Sequence, residues 1–316
     1  MLATVCSGTR FGMSALLGAA VIGLSTLGLG LGGCASNPGE TFATPDDAVN
    51  AAVTALRTDN QAELTRIFGP DAEEALASGD PVADQNNRAL FLQKFDEKYA
   101  LIEGAEGSKI LEVGTSEWPM PIPLVRAGNG WRFDLAAGKD EMLSRRIGRN
   151  ELDAIQTLLA IGDAQDEYFD LRPQGEDEYA SKFFSDPGQK NGLFWPVVAG
   201  EQPSPMGELV AEASAQGYKR SESGPTPFHG YIFRPLTAQG KNAPGGARDY
   251  MVNGRMTGGY AVVAFPAEYG RSGIMTFMMS DQGVVFQRDL GSDTASIAGA
   301  MTEFDPDLNW TVVSGE

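Results

Sequence analysis

The chain reads as an α+β protein: N-terminal helices and a curved antiparallel sheet come first, then a long helix packed on an antiparallel β-meander. Three observations predict this. Apolar residues recur at helical spacing through Val49, Val53 and Leu56 and again through Leu64, Ile67 and Phe68, and the pattern then turns strand-like at Ile110, Leu111 and Val113. A wide apolar helical face returns over Leu152, Ile155, Leu158, Leu159 and Ile161. From Phe228 onward, short apolar runs alternate with turn residues, most clearly at Ser280-Asp281-Gln282-Gly283.

The first element is a leader. Arg10 precedes an apolar stretch from Phe11 to Leu31, and small residues stand where a signal peptidase cuts. The stretch is long enough to span a bilayer, but its Gly and Ala content and the polar Ser14 and Ser25 make it a weak permanent helix. Leu31-Gly32-Gly33-Cys34 resembles the lipobox of bacterial lipoproteins. That resemblance implies that Cys34 becomes an acylated N-terminus, with the membrane as a partner through its lipid. Several acyl chains hold a protein firmly where one holds it marginally. Ala35 and Ser36 follow with no Asp beside the cysteine, which implies outer-membrane delivery, facing the periplasm, in a diderm host. Gly28-Leu29-Gly30-Leu31-Gly32-Gly33 matches a dinucleotide fingerprint in letters only, because that motif works between a strand and a helix and here it lies in a leader.

Residues 34–43 read as a polar tether, 44–143 as an α+β domain and 144–316 as a helix plus β-meander domain. Thr44 suits a helix N-cap, with Pro45 at the first helical position and Asp46 and Asp47 at the positive end of the dipole. A second helix stops at Gly69-Pro70. After a polar stretch from Asp80 to Asn87, a short helix carries Leu90, Phe91 and Phe95. Strands follow at 110–113, 122–125 and 131–135, the last two joined by a Gly128-Asn129-Gly130 turn. This order of helices and sheet resembles the nuclear-transport-factor-two-like fold. Trp118, Trp131 and Phe133 read as core, with a pocket lining as the other possibility. The long helix opens near Arg145 and ends in acidic residues from Asp163 to Asp170, and an irregular Gly-, Pro- and aromatic-rich region runs from Arg172 to Pro205. A short helix from Met206 ends at Gly217. The meander comprises strands at 231–236, 249–253, 260–265, 274–280 and 284–288, and a helix at 293–301 and a strand at 310–313 close the chain. A long helix on such a meander resembles the globular domains of type IV pilin-like proteins, without the apolar N-terminal half through which pilins polymerise.

Composition excludes several functions. Of the two cysteines, Cys6 leaves with the leader and Cys34 is capped, so the mature chain has neither thiol nor disulfide and depends on its core. With 42% hydrophobic and 21% charged residues, the 316-residue chain is globular. A formal net charge of -18 argues against nucleic acid as a partner. The single histidine, His229, cannot build a multi-histidine metal site, and no metal or cofactor is expected. No serine-nucleophile elbow occurs in the mature chain, and Lys139 and Lys241 follow glycines but lack the rest of a phosphate loop. His229 itself, between Phe228 and Tyr231, is expected to make an ordering hydrogen bond to backbone.

Carboxylates are the remaining source of chemistry. Glu268, in a loop after a strand, and Asp249, near Arg255 in sequence, are the catalytic candidates; Trp195, His229, Tyr231, Arg255 and Tyr269 are the binding candidates of a polar cleft. The same residues suit the stapling of loops around a meander. Asp305, Asp307, Asn309 and Glu316 fall at calcium-loop spacing, but Trp310 stands where that loop needs glycine, so a turn is expected.

Several runs carry a family resemblance: Arg146-Ile147-Gly148-Arg149-Asn150-Glu151-Leu152, Gly192-Leu193-Phe194-Trp195-Pro196, Phe228-His229-Gly230-Tyr231, Val252-Asn253-Gly254-Arg255-Met256, Phe265-Pro266-Ala267-Glu268-Tyr269-Gly270 and Gly283-Val284-Val285-Phe286-Gln287-Arg288-Asp289-Leu290-Gly291. They resemble the bacterial envelope family labelled domain of unknown function, number twenty-nine fifty, which implies no particular activity. The expected function is that of a lipid-anchored envelope protein, more an accessory or binding protein than an enzyme, with an envelope protein or cell-wall component as partner. The alternative is an acid-base hydrolase of cell-wall glycan or peptide using Asp249 and Glu268.

Overall fold

Residues 39–198, 200–219 and 225–313 are described by a computed structural model. The leader and Cys34 lie outside them.

Four helices open the fold. The first, α1 (Pro45–Arg57), starts at a capping box in which the Asp47 amide donates to Thr44 Oγ1 (3.1 Å) and the Thr44 amide donates back to Asp47 Oδ2 (3.2 Å). It is followed by α2 (Gln61–Phe68), α3 (Ala72–Leu76) and α4 (Pro81–Glu97). The polar stretch expected before a short third helix is in fact the first half of α4, which begins at the Asp80 cap with Pro81 at its first position. Much of this half is exposed, so it shows no apolar period.

A curved antiparallel sheet comes next: β1 (Tyr99–Glu103), β2 (Lys109–Val113), β3 (Trp118–Pro119), β4 (Leu124–Ala127) and β5 (Gly130–Phe133). Its order is β1-β2-β4-β5, with β3 on β2. The Gly128-Asn129 turn pairs Ala127 with Gly130 in register. Trp131 and Phe133 are buried with Ile67, Phe68, Leu111 and Leu124 in a first core, whereas Trp118 lies outside it under the Arg145 guanidinium (5.3 Å).

The long helix α5 (Leu135–Leu171) starts ten residues before its expected opening. Asp134 ends β5 and caps α5 through the Ala137 amide (3.3 Å), so Leu135 is helical and not the last residue of a strand. The expected apolar face is also rotated: Leu152 and Leu159 are 64% and 38% exposed, while Ala154, Leu158, Ile161, Ala164 and Tyr168 are buried. The boundary expected at residues 143 and 144 falls inside this helix. Its start places Leu135 in the first core and its second half builds a second.

After α6 (Gly207–Ala215) the second core is organised by β6 (Tyr231–Leu236), β7 (Ala238–Gln239), β8 (Arg248–Asp249), β9 (Met251–Val252), β10 (Arg255–Met256), β11 (Ala261–Pro266), β12 (Met275–Ser280), β13 (Val285–Asp289), α7 (Thr294–Ala300), β14 (Glu303–Phe304) and β15 (Thr311–Val312). The main sheet has the order β15-β13-β12-β11-β6; β14-β7-β8 form a small second sheet and β9-β10 a hairpin. The single strand expected at 249–253 is two short ones, because Tyr250 turns inward and is fully buried between them. Central β11 is buried along its whole length. Since strand side chains alternate faces, Met279 meets Gly162 of α5 on one face, while Arg234, level with Val263 and Met278, reaches the α7 carbonyls of Ala298 and Gly299 on the other.

Buried phenols give the fold an alkaline limit. Burial, with Glu178 nearby, pushes Tyr168 up to about 12. Burial, with Asp281 adding to it and Arg248 opposing it, does the same to Tyr250. Both pKa values are raised by folding, so the stability is intact below pH ~10 and is lost as pH rises toward ~12. The expected loss is about 1.4 kcal/mol per pH unit for each residue, readable by denaturant melts at stepped pH. A flat profile between pH 10 and 12 would contradict this burial.

Candidate functional site

Three of the sequence runs singled out above meet where the two cores adjoin. The centre is Asp80, which is only 5% exposed. Its Oδ1 accepts the Val82 and Ala83 amides at the start of α4 (3.1 and 3.0 Å). Its Oδ2 accepts the Tyr218 hydroxyl (2.7 Å) and the Gly230 amide (3.3 Å). One carboxylate therefore starts a helix of the first half and holds two segments of the second. Burial, reinforced by the hydrogen bond to Asp80, raises the Tyr218 pKa well above the usual phenol range, so the hydroxyl stays a donor.

The start of β6 bends around this point. His229 adopts a left-handed φ of 49°, uncommon for a residue with a side chain, and its amide donates to the Tyr218 hydroxyl oxygen (3.3 Å). Its ring lies against Phe228, and Nδ1 is 3.5 Å from Asp153 Oδ2 on α5. The expected side-chain bond to backbone is thus replaced by a carboxylate neighbour from an element 76 positions away in the numbering. Gly230 follows at φ +75°; a Cβ there would sit 2.6 Å from Asn150 Nδ2.

From α5, Asn150 Nδ2 donates to the Ser272 carbonyl (2.9 Å), and Glu151 Oε1 accepts both the Ile274 and Met275 amides (3.0 Å each). Arg146 donates to the Ala77 and Ala75 carbonyls (3.0 and 2.8 Å). Arg271 donates to the same Ala77 carbonyl (3.1 Å) and to Glu268 Oε2 (3.0 Å). The Glu268 carboxylate packs on Gly79, whose φ is +86° and whose Cβ would lie 2.6 Å from Glu268 Oε1.

Of the residues proposed from sequence, His229 and Glu268 stand at this junction. Tyr231, next along β6, is fully buried and donates its hydroxyl to the Met275 carbonyl (2.9 Å). The others are elsewhere. Trp195 is buried against Tyr168, with the Lys190 ammonium 5.5 Å from its ring. Arg255 pairs with Glu176 and with Glu178 (2.9 Å), not with Asp249. The Tyr269 hydroxyl donates to Asp289 (3.3 Å). Asp305 accepts the Asn242 amide and side chain, while Asp307 holds Asn309 in a local turn.

Topology sets the two catalytic candidates apart. Asp249 pairs with Ala238 just beyond the Leu236 end of β6, while Glu268 follows Pro266, which pairs with Tyr231 at the opposite end. Five strand steps separate these ends by about 17 Å, beyond the ~9.5 Å limit for two cooperating glycosidase carboxylates. The junction residues that sequence reasoning missed are Asp80, Tyr218 and Asp153, and only Asp80-Pro81 left a readable sign, as a cap followed by proline.

The molecule is thus an α+β protein with two hydrophobic cores joined by a polar, motif-built seam. The chain belongs to the family described as Protein of unknown function (DUF2950), whose model matches residues 39–313. No curated protein and no solved structure matches it. No described helix is long and apolar enough to cross a membrane.

Proposed function

We propose that this protein is a lipid-anchored component of the bacterial cell envelope that acts by binding a protein or cell-wall partner rather than by catalysis. The observation that carries the binding reading is the engagement of the seam carboxylates. Asp80 accepts four donors, and Glu151 is committed to two backbone amides. Such groups hold a scaffold together and have little freedom for proton transfer. Asp249 and Glu268 lie beyond opposite ends of β6, a strand about 17 Å long, which weighs against the pair on which the hydrolase alternative depended.

The anchor rests on the lipobox resemblance at Cys34. Gly39, five positions later, already packs on α2, and five extended residues reach at most about 18 Å. An acylated Cys34 therefore holds this end of the fold close to the bilayer, in a diderm host the periplasmic face of the outer membrane. Cys34→Ala is expected to abolish incorporation of labelled palmitate and to leave a precursor heavier by the leader. Labelling that persisted in this variant would end the anchor reading. In-cell crosslinking from the anchored protein then tests for the partner, whose identity decides between a protein and a cell-wall component.

A further inference from the structure

Three arginines converge on the seam in a protein whose formal net charge is -18. Arg146 and Arg271 donate to a single acceptor, the Ala77 carbonyl, so their guanidinium groups lie side by side despite their like charge. Arg149, one turn beyond Arg146 on α5, is exposed and donates to the Asn87 side chain (2.8 Å). Neither Arg146 nor Arg149 forms an ion pair among the described residues, and Arg271 has Glu268 alone. The other nearby carboxylate, Asp84, accepts one bifurcated bond from the Ser78 N–H (3.1 and 2.9 Å) and forms no ion pair with an arginine among the described residues. Arg271 Nε is shut off from solvent with no hydrogen-bond partner. Burial holds Arg146 below the usual guanidinium range; Arg271 and Arg149 push it the same way, against Asp84 and Glu268, which places all five charges within electrostatic reach.

Two carboxylates, one of them paired with Arg271, leave the three guanidinium groups with a net positive charge beside an unpartnered buried donor. Guanidinium groups present forked donors that match the oxygens of an oxyanion, and an oxyanion drawing the Arg271 head outward would relieve its unpaired Nε. We propose that Arg146, Arg149 and Arg271 form a receptor for a phosphoryl group at the junction of the two cores. The site lies on the Arg146–Leu152 run and directly after the Phe265–Gly270 run, and its solvent-facing members are Arg149 and the 36%-exposed side chain of Arg271. The phosphoryl group is either free phosphate or the headgroup of an anionic lipid, and one titration distinguishes the two.

The full-length protein in detergent is titrated calorimetrically with inorganic phosphate, and then with micelles carrying phosphatidic acid. Saturable binding of at least one probe is expected, weakened about tenfold or more in Arg149→Gln and Arg271→Gln and unchanged in Lys241→Gln, a distant exposed cation. A micelle preference assigns the headgroup, and equal or better binding of inorganic phosphate assigns the free anion. Arg149 spans no core contact, so Arg149→Gln retains the wild-type melting transition and decides the question even where Arg271→Gln unfolds. Absence of binding to both probes at millimolar concentration, or binding that Arg149→Gln leaves unchanged, overturns the proposal.

Discussion

Asp80→Ala is expected to lower the stability of the fold by about 3–4 kcal/mol. Loss of a helix N-cap costs about 1 kcal/mol, and a hydrogen bond to a charged acceptor contributes about 1.5–3 kcal/mol. Here the cap on α4 and the bonds from Tyr218 and Gly230 disappear together. The sum is less than additive because these donors share one carboxylate. Guanidinium denaturation reads the loss directly, and because Asp80 ties a helix of the first half to the start of β6, the transition is expected to lose cooperativity as well. Asp80→Asn keeps an acceptor for the α4 amides and is expected to recover about half of the loss. A cost below about 1 kcal/mol for Asp80→Ala would show that the seam forms without its central carboxylate.

Tyr231→Ala is expected to be as damaging, for a different reason. The ring is fully buried against Phe277, and truncating a buried aromatic costs about 3–5 kcal/mol through lost burial and the cavity left behind. Tyr231→Phe removes the hydroxyl bond to the Met275 carbonyl and little else, and is expected to cost about 1 kcal/mol. The pair of variants separates a packing role from a binding role. If Tyr231→Phe abolished partner capture while its melting curve stayed near wild type, Tyr231 would belong to a site and not to the core.

Much of the fold was legible because local rules decide it. The Thr44 capping box, the stop of α2 at Gly69, the Gly128-Asn129 hairpin and the Ser280–Gly283 turn each depend on a few neighbouring residues. The strand β6 and the core of the meander were readable for the same reason, since apolar runs between turns have few other solutions. The errors arose where local signals compete. Asp134 ends a strand and starts a helix in one step, and the polar half of α4 has no apolar period because much of it faces solvent.

The candidate site was readable only in fragments. Glu268, expected as a catalytic candidate, and His229, expected to line a polar cleft, both stand at the junction, in other company than expected: Arg271 and Gly79 border Glu268, and Asp153 faces His229. The amino-acid sequence by itself determined most of the elements, the acidic balance and the family runs. The tertiary structure alone decided that α5 serves both cores, that Asp249 and Glu268 lie beyond opposite ends of β6, and that Arg146 and Arg271, from two distant segments, meet at the Ala77 carbonyl with Arg149 one turn away. Caps, turns and apolar periods are set by neighbours along the chain, whereas the company a charged side chain keeps is set by strand register and by which face of a shared helix turns inward, and neither is encoded within a few residues.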